Sequence, residues 1–425
     1  MTTADITPSG EPTSGPATVS GVRTARQVAD GSAAGTRRSA SVAATRTARR
    51  TALASTVRPG HRVRPEHARR HNRALVLQAL YRAEGLSRAD LAREVGLTRV
   101  TISDLVADLI AEDLVVELGI RADSRPGKPA TLLDINRAGF AVLALDLSKD
   151  AVFRGIVTDL DGTVLHREEL DVAGLTGDAA LEATATVLDR LVEAAQARVL
   201  GVGVGSPGIV SVDGTVLRAP NLGWYDVPLQ TLLADRTGLP VLVANDANTA
   251  ALAERTFGGA DEDMMLIRIG RGVGAGLVLG GALVQGSSSA AGEIGHVVVG
   301  TDGGERCACG KDGCLETWLA IPRLTERLDA APDAAAREAL LVEAGERLGI
   351  AVAPVVGALD LGEVVLSGPL DVLDGPLLDS AVQTLRNRTM ASVHGHLSVR
   401  MTGLGRDIVV LGAAVMVLTD QLGVS

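Results

Sequence analysis

Hydrophobic positions begin to recur regularly only after about residue 65. Between residues 71 and 85 they return every three or four positions, which predicts a helix with one buried face. A short helix follows, in which Ser87 and Asp90 have the spacing of a capping box, and Gly96 permits a sharp turn after it. Thr98 caps the next helix, whose buried stripe consists of Ile102, Leu105, Val106 and Leu109. Two short helices joined by a glycine turn are typical of a helix-turn-helix.

The segment after that helix alternates between apolar and polar residues as a β-hairpin does, with Pro126-Gly127 at its tip. A hairpin in this place predicts the wing of a winged helix. The candidate DNA-binding residues point outward at the start of the second helix or lie around the tip: Arg99, Thr101, Ser103, Arg121, Arg125 and Lys128. An ordinary helical hairpin with a solvated loop is the alternative. The coincidence of turn, cap, wing and basic tip favours DNA binding.

From Phe140 onward the pattern changes to short strands followed by helices. Three strands precede a helix that starts at Asp178, and a later helix runs from Asp246 to about Gly258. The second series comprises a strand-turn-strand from residue 264, helices over much of 316–350, a strand-loop at 363–369, a helix after Pro376, a strand at 407–412 and a final helix from Gly412. The repetition predicts two similar α/β lobes that face a cleft, where small ligands commonly bind.

Composition narrows the class of protein. Hydrophobic residues make up 46% and charged residues 22% of the 425 positions, so a well-packed core is feasible. Aromatic residues are only 2%, which argues against stacking on single-stranded nucleic acid. No apolar run reaches the length of a membrane span, and the first residues lack the apolar core of a signal peptide. We therefore expect a cytoplasmic protein without a membrane partner.

Charge is unevenly spread along the chain. Residues 1–133 carry a net charge of +7, and the remainder carries −17. Because the N-terminal segment is basic and the rest of the chain is acidic, we expect only the N-terminal segment to bind a polyanion. Residues 1–65 are rich in Ser, Thr, Ala, Gly and Arg, which predicts a disordered basic leader. The leader is interpreted either as a non-specific DNA-tethering arm or as a solubilising segment.

All three cysteines of the chain lie within eight residues of one another, downstream of a histidine. The four residues are His296, Cys307, Cys309 and Cys314, and together they form a complete tetrahedral set for zinc. Gly310 and Gly313 permit the tight turn that such closely spaced thiolates require. Because four protein ligands close the shell, the predicted role is structural. Three buried structural cysteines or a redox site are the alternatives.

Polar residues flank the zinc motif and also follow a predicted strand. Glu293 and Glu316 are carboxylates that zinc does not need, so they suggest a polar ligand. Asn245 and Asp246 lie at a strand-to-helix junction, where Asp246 could act as a general base on a sugar hydroxyl or merely cap the helix. The glycine loop at 270–276 resembles a phosphate cradle, but glycines between two strands are more often a hairpin requirement.

Taken together, these segments resemble the ROK family (repressors, open reading frames and sugar kinases) in its transcription-repressor branch. The resemblance rests on GVGVGSPGIVSVDG with PNLGW, on VANDANTAAL, on GVGAGLVLGGALVQG, and above all on GEIGH followed by CACGKDGCLE. It implies an α/β protein with an N-terminal winged helix-turn-helix at 66–135. A two-lobed, actin-like (ribonuclease H-like) domain at 136–425 would follow, with its zinc motif at 296–314.

The resemblance also implies a sugar site. Its residues would be Asn245, Asp246, Glu293, His296 and Glu316, with Asp246 in the place of the kinase branch's catalytic base. His296 would serve twice, with one ring nitrogen on structural Zn²⁺ and the other toward the sugar, so the metal would brace the ligand site.

The segment at 146–150 departs from the kinase pattern. ROK kinases have an Asp followed by Gly-Gly-Thr there, whereas this chain reads Asp146-Leu147-Ser148-Lys149-Asp150. Side chains would occupy the space that phosphates need. Arg271 and the late segment LSGP depart from the kinases as well. We therefore predict that the protein is not an enzyme and that Asp246 is a vestigial base.

These features predict a sugar-responsive DNA-binding regulator, a repressor of carbohydrate uptake or catabolism genes. Its partners would be double-stranded operator DNA, a free sugar between the lobes, and a second or further copies in a homodimer or homotetramer. The alternative is an ATP-dependent ROK sugar kinase with an appended DNA-binding domain.

Overall fold

A computed structural model describes residues 65–83, 85–120, 130–148, 151–300 and 303–423. The predicted leader, apart from Pro65, lies outside these residues. So do the candidate phosphate-contacting residues of the wing tip, Arg121, Arg125 and Lys128. Among the described helices, none combines the length and apolar character that a bilayer crossing requires.

The N-terminal part folds as a winged helix. Its elements are α1 (Pro65–Arg82), β1 (Leu86–Ser87), α2 (Arg88–Glu94), α3 (Arg99–Ala111), β2 (Val115–Ile120) and β3 (Thr131–Ile135). The predicted capping box is present, since Ser87 accepts from the backbone N–H of Asp90 and the Asp90 carboxylate accepts from that of Ser87. Thr98 caps α3, whose predicted apolar stripe is buried. β3 pairs with both β1 and β2 in antiparallel register, which completes the hairpin of the wing.

The first lobe is built on a five-stranded sheet in the order β11-β7-β4-β5-β6. Its elements are β4 (Phe140–Asp146), β5 (Val152–Thr158), β6 (Val164–Asp171), α4 (Gly177–Ala194), β7 (Arg198–Ser206), β8 (Ile209–Val210), β9 (Val216–Ala219), β10 (Trp224–Val227), α5 (Leu229–Thr237), β11 (Val241–Asn245) and α6 (Asp246–Phe257). β4, β5 and β6 are antiparallel neighbours, and β7 and β11 continue the sheet in parallel.

The second lobe repeats this topology in the order β14-β13-β12-β15-β16. Its elements are β12 (Met264–Ile269), β13 (Val273–Leu279), β14 (Ala282–Leu283), α7 (Leu315–Leu319), α8 (Ile321–Asp329), α9 (Ala334–Leu359), β15 (Glu363–Ser367), α10 (Leu370–Leu373), α11 (Pro376–Arg388), α12 (Ala391–His394) and β16 (Ser398–Met401). The last helix, α13 (Ile408–Leu422), follows in the chain but packs on the sheet of the first lobe. Three antiparallel strands are again followed by two parallel ones. The predicted pair of similar α/β lobes is therefore confirmed.

The end of the chain differs from the sequence prediction. We expected a strand at 407–412 and a helix from Gly412, but α13 begins at Ile408 and the fifth strand is β16. The β-branched run Ile408-Val409-Val410 favours a strand when it is considered alone. Tertiary packing favours a helix for this segment. Gly412 lies against the backbone of α6, where a Cβ would come within 1.8 Å of the Thr249 carbonyl oxygen.

α13 packs on the sheet of the first lobe and also contacts the winged helix. Leu77 and Leu80 of α1 belong to the same buried cluster as Leu418 and Leu422 of α13. At the end of α13 the Gln78 amide donates to the Gly423 carbonyl oxygen. The first helix of the winged helix is therefore packed directly on the last helix of the two-lobed domain.

Two glycines of α9 have different surroundings and should respond oppositely to alanine. A Cβ on Gly345 would come within 2.1 Å of the Leu377 carbonyl oxygen of α11, whereas a Cβ on Gly357 would meet open space. We expect Gly345→Ala to lower the free energy of unfolding by about 1–3 kcal/mol through overpacking. Gly357→Ala should raise it by about 0.5 kcal/mol through helix propensity. Urea unfolding midpoints measure both, and equal effects of the two substitutions would contradict this account.

Candidate ligand site and metal centre

The predicted metal ligands converge on one point. The candidate ligand atoms of His296, Cys307, Cys309 and Cys314 all lie within 4.8 Å of one another. Cys307 Sγ is 3.6 Å from His296 Nδ1, and Cys309 Sγ is 3.5 Å from Cys314 Sγ. Tetrahedral Zn²⁺, with bonds of about 2.3 Å to sulfur and about 2.0 Å to nitrogen, would separate its ligand atoms by about 3.6–3.8 Å. The donor set and its spacing therefore fit one zinc ion.

The loop that carries the thiols depends on left-handed backbone at the two predicted glycines. Gly310 has φ of 96° and Gly313 has φ of 75°, conformations that residues with a Cβ rarely adopt. Burial raises the pKa of Cys314 to about 12 and also raises that of Cys307. Buried thiols of this kind stay protonated unless a cation binds them, and a coordinating metal deprotonates them.

Close backbone packing places the polar residues of the GEIGH segment beside the metal cluster. A Cβ on Gly292 would lie 1.8 Å from the Ala275 carbonyl oxygen of β13, so this glycine allows the segment to pack on that strand. His296 presents Nδ1 to Cys307, and its Nε2 lies 4.0 Å from Glu293 Oε2. The histidine therefore faces the thiols with one nitrogen and a carboxylate with the other.

Glu316 links the cluster to the glycine loop between β12 and β13. Its Oε1 accepts from the Cys307 thiol at 3.7 Å and its Oε2 accepts from Val273 N at 3.3 Å. A Cβ on Gly272 would lie 2.7 Å from Glu316 Oε2, so a larger residue there would displace this carboxylate. The glycine loop is thus a hairpin connection against which the Glu316 carboxylate packs.

Asn245 and Asp246 lie at the start of α6, and Asn245 is the cap. Its Oδ1 accepts from Ala247 N at 2.9 Å and from Asn248 N at 3.1 Å, and its Nδ2 donates to Gly208 O at 2.8 Å. The alternative in which Asp246 caps the helix is therefore wrong. The Asp246 carboxylate is available for another role.

Burial and charge act together on the carboxylates of this site. Burial raises the pKa of Glu293; the nearby His296 opposes that rise, and the carboxylates of Asp246 and Glu316 add to it. Burial also raises the pKa of Asp246, against the opposing effect of the Arg268 guanidinium. Because both Asp246 and Glu316 act on Glu293, residues from three separated segments share one electrostatic environment.

Arg268 is a site residue that the sequence did not reveal. It lies in β12, an apolar strand whose sequence gave no sign of the partners of this residue. Its guanidinium donates to Asp246 Oδ2 at 2.7 Å and to Ser148 Oγ at 2.7 Å. Ser148 in turn donates to the buried carboxylate of Asp146 through its backbone N–H and its hydroxyl. Residues 149 and 150 of the segment that departs from the kinases lie outside the described part of the chain.

At the other end of the molecule, the start of α3 exposes Arg99 and Ser103, and Thr101 is half-buried. The hydroxyl of Ser103 donates to Arg99 O at 2.9 Å, and that of Thr101 is 2.9 Å from Thr98 Oγ1. Val100 is 71% exposed, and our prediction omitted it because it considered only polar side chains. Its place outside the buried stripe of α3 was the signal available in the sequence.

These features define a class of protein with a winged helix joined to a two-lobed α/β domain that carries a polar site and a cluster of three cysteines and one histidine. The chain belongs to the ROK family, whose model matches residues 143–420. The MarR family model matches residues 70–126, which include the helix-turn-helix. The xylose repressor of Caldicellulosiruptor bescii is 28% identical over 386 residues, which cover 83% of this chain and 96% of the relative.

The solved structures that match this chain differ in how much of it they cover. A ROK family transcriptional regulator described as a homolog of the E. coli MLC protein matches with a TM-score of 0.75 and 27% identity, covering 84% of this chain and 98% of that one. A ROK family glucokinase from Streptomyces griseus, in complex with glucose and AMPPNP, matches with a TM-score of 0.58 and 26% identity. It covers only 65% of this chain although 98% of its own length is matched. The similarity that includes the winged helix is therefore to regulators.

Proposed function

We propose that this protein is a sugar-responsive DNA-binding transcriptional regulator, a repressor of carbohydrate-use genes. The observation that carries the proposal is the junction of α1 with α13, which packs a winged helix on the domain that holds the polar site. A xylose repressor and a ROK family transcriptional regulator, each matched over nearly its whole length, support the same reading. The glucokinase match, by contrast, extends over only 65% of the chain.

The effector site we assign comprises Asn245, Asp246, Glu293, His296 and Glu316. Carboxylates and an imidazole offer acceptors and donors suited to the hydroxyl groups of a pyranose. His296 would join the sugar to the metal, since its two ring nitrogens face the thiols and Glu293 respectively. Zn²⁺ held by the three thiolates and the imidazole would supply rigidity, because four protein ligands leave no open position for chemistry.

The DNA side of the proposal rests on the start of α3 and on the wing. Recognition helices of this kind contact base edges with their N-terminal residues. Arg99 would bind a guanine edge or a phosphate, and the exposed Val100 is suited to the methyl group of thymine. Thr101 and Ser103 would contribute hydroxyl contacts, and Arg121, Arg125 and Lys128 would bind backbone phosphate. Paired winged helices in a homodimer or homotetramer would read half-sites about 10 bp, or a multiple of that, apart.

A continuous packed route joins the two sites. Thr249 of α6 donates through its hydroxyl to the carbonyl oxygen of Asn245 at 2.7 Å, and the Thr249 carbonyl lies against Gly412 of α13. The far end of α13 holds α1 through Gln78 and the shared apolar cluster. A sugar that prefers one arrangement of the lobes would therefore move α6 and α13 together and reorient the winged helix.

We infer that the site binds sugar without phosphorylating it. In support, Ser148 and Arg268 fill the region beside Asp246 with side chains that already satisfy one another. Sugar-dependent ADP release from ATP that disappears in Asp246→Asn would establish the kinase alternative instead.

The decisive experiment is an electrophoretic mobility shift on DNA from upstream of the protein's own gene, with and without a sugar panel. We expect specific binding at physiological salt and its weakening by one sugar. A scrambled duplex of the same length controls for the electrostatic, sequence-independent part of binding. The absence of any specific shift would refute the repressor assignment.

Arg99→Ala should weaken specific binding by about 1–3 kcal/mol, because a guanidinium that reads a base edge contributes about that much discrimination. Fluorescence anisotropy on specific and scrambled duplexes measures the loss. Arg93→Ala is the matched control, since Arg93 is an exposed arginine of the preceding helix and pairs with Asp90. Equal losses for both variants on both duplexes would show that Arg99 contributes charge alone.

A further inference from the structure

Arg268 reaches from one sheet to the other. Its backbone belongs to β12, where it pairs with Gly274 of β13 and Ser367 of β15 in the second lobe. Its guanidinium ends on Asp246 and Ser148, which follow β11 and β4 of the first lobe. Only 15% of the Arg268 side chain and 14% of the Asp246 side chain are exposed. This arginine therefore ties the two lobes together at the polar site.

The contacts of Asp246 fix its carboxylate almost completely. Oδ1 accepts from Ala247 N at 3.0 Å and from Asn245 Nδ2 at 3.1 Å, and Oδ2 accepts from Arg268 at 2.7 Å. Each carboxylate oxygen can accept about two hydrogen bonds. One acceptor position, on Oδ2, is left for a hydroxyl group of a ligand.

Among the charges around Asp246, the guanidinium favours its ionisation. The carboxylate of Asp146, only 1% exposed, acts on Asp246 from β4, and Asp246 in turn raises the pKa of Glu293 in the GEIGH segment. Burial and Asp146 raise the pKa of Asp246, and Arg268 is the cation that opposes them. An isolated buried carboxylate would be protonated or strongly destabilising.

We propose that Arg268 is the positioning residue of the effector site, which holds the Asp246 carboxylate in place, favours its charged form and leaves it one acceptor position for a hydroxyl group of the effector. The proposal rests on the assignment of Asp246 to the sugar site. A general base is most effective when its proton affinity matches the working pH, and a neighbouring guanidinium lowers that affinity. Arg268 thereby makes the residue that corresponds to the kinase base into a ligand anchor.

The first test needs no ligand. Melting temperatures are measured at about pH 5, 6, 7 and 8 for wild type, Arg268→Met, Asp246→Asn and the double variant. Burial already holds the folded-state pKa of Asp246 above its ordinary value, and in Arg268→Met it rises further, so the stability that this group contributes at low pH is lost over a wider range as pH rises through the folded pKa. The melting-temperature deficit of Arg268→Met should therefore be at least about twice as large at pH 8 as at pH 5.

The double variant keeps this test decisive. Removing both charges should be better tolerated than leaving one buried charge unpaired, so the double variant should melt above Arg268→Met at pH 8, even where the single variant fails to fold. Arg268→Lys retains the positive charge, so its melting-temperature deficit relative to wild type should be the same at every pH. Arg154→Met is the matched control, because Arg154 pairs with Glu169, a half-exposed carboxylate, at 3.0 Å. A constant deficit for Arg268→Met from pH 5 to pH 8, or a double variant no more stable than the single, would overturn the proposal.

The second test uses D-xylose and D-glucose as probes in titration calorimetry at about pH 6 and pH 8. The ratio of the affinity at pH 8 to that at pH 6 should be about tenfold larger for Arg268→Met than for wild type, because loss of the guanidinium raises the pKa of Asp246 further and a protonated Asp246 loses its acceptor. Equal affinity of Arg268→Met at both pH values would refute the positioning role. If neither sugar binds wild type, the effector assignment fails, and the ligand-free melting series still decides the role of Arg268.

Discussion

Replacement of Cys309 by serine is expected to remove the bound metal and, with it, the response to sugar. A serine hydroxyl is a poor substitute for a thiolate, so the tetrahedral set would lose one ligand. Cys309 is the exposed member of the cluster, so the substitution removes little packing. Because His296 lies between the thiols and Glu293, loss of the ion would free an imidazole that the effector site needs in a fixed position.

Elemental analysis should find about one zinc per wild-type chain and less than about one tenth of that in Cys309→Ser. The sugar concentration that releases operator DNA should rise by about 10–100-fold, the usual cost of disturbing a metal-supported ligand residue. Lys311→Ala is the matched control, since Lys311 is an exposed residue of the same loop and its backbone carbonyl, which accepts from Cys307 N, is unchanged. A metal-free Cys309→Ser protein with a normal sugar response would break the link between zinc and effector binding.

Gly412→Ala is expected to lower stability and to uncouple the two ends of the proposed route. The new methyl group would lie 1.8 Å from the Thr249 carbonyl oxygen, so α6 and α13 must move apart. Overpacking of this kind costs about 1–3 kcal/mol of unfolding free energy. Thr249 also holds Asn245 through its hydroxyl, so the shift should weaken sugar binding as well.

Gly403→Ala is the control for that substitution. Gly403 lies in the segment just before α13, and a Cβ there meets nothing within 4 Å. Its effect on the free energy of unfolding should stay within about 0.5 kcal/mol, as for most surface substitutions. Denaturant unfolding and sugar titration of both variants check the prediction. If Gly412→Ala were as stable as Gly403→Ala, the two helices would not be in contact through their backbones.

Much of the architecture could be predicted from local patterns in the chain. The caps Ser87 and Thr98 and the buried stripe of α3 were correct because caps and helical periodicity involve residues only a few positions apart. The convergence of the three thiols and the imidazole was predictable for the same reason, since the three cysteines fall within one short loop. The two lobes were visible because the same order of strands and helices occurs twice.

The sequence misled us where long-range packing overrides local preference. The run Ile408-Val409-Val410 favours a strand by composition, yet it opens α13 because the helix fits against α6 at Gly412. The helix cap at Asn245 was attributed to its neighbour as an alternative, since two adjacent polar residues cannot be distinguished without their hydrogen bonds. The wing residues Arg121, Arg125 and Lys128 stay predictions.

By itself the sequence determined the winged helix, the two lobes, the four candidate metal ligands and the carboxylates around them, because local spacings and the repeated order of strands and helices reveal them. Only the tertiary structure decided how the carboxylates are used. Arg268 is separated from Asp246 by 22 positions and from Ser148 by 120, and no periodicity relates residues so far apart. Packing of the two sheets places one guanidinium between them, and that contact opposes the effect of burial on the residue on which the proposed sugar response depends.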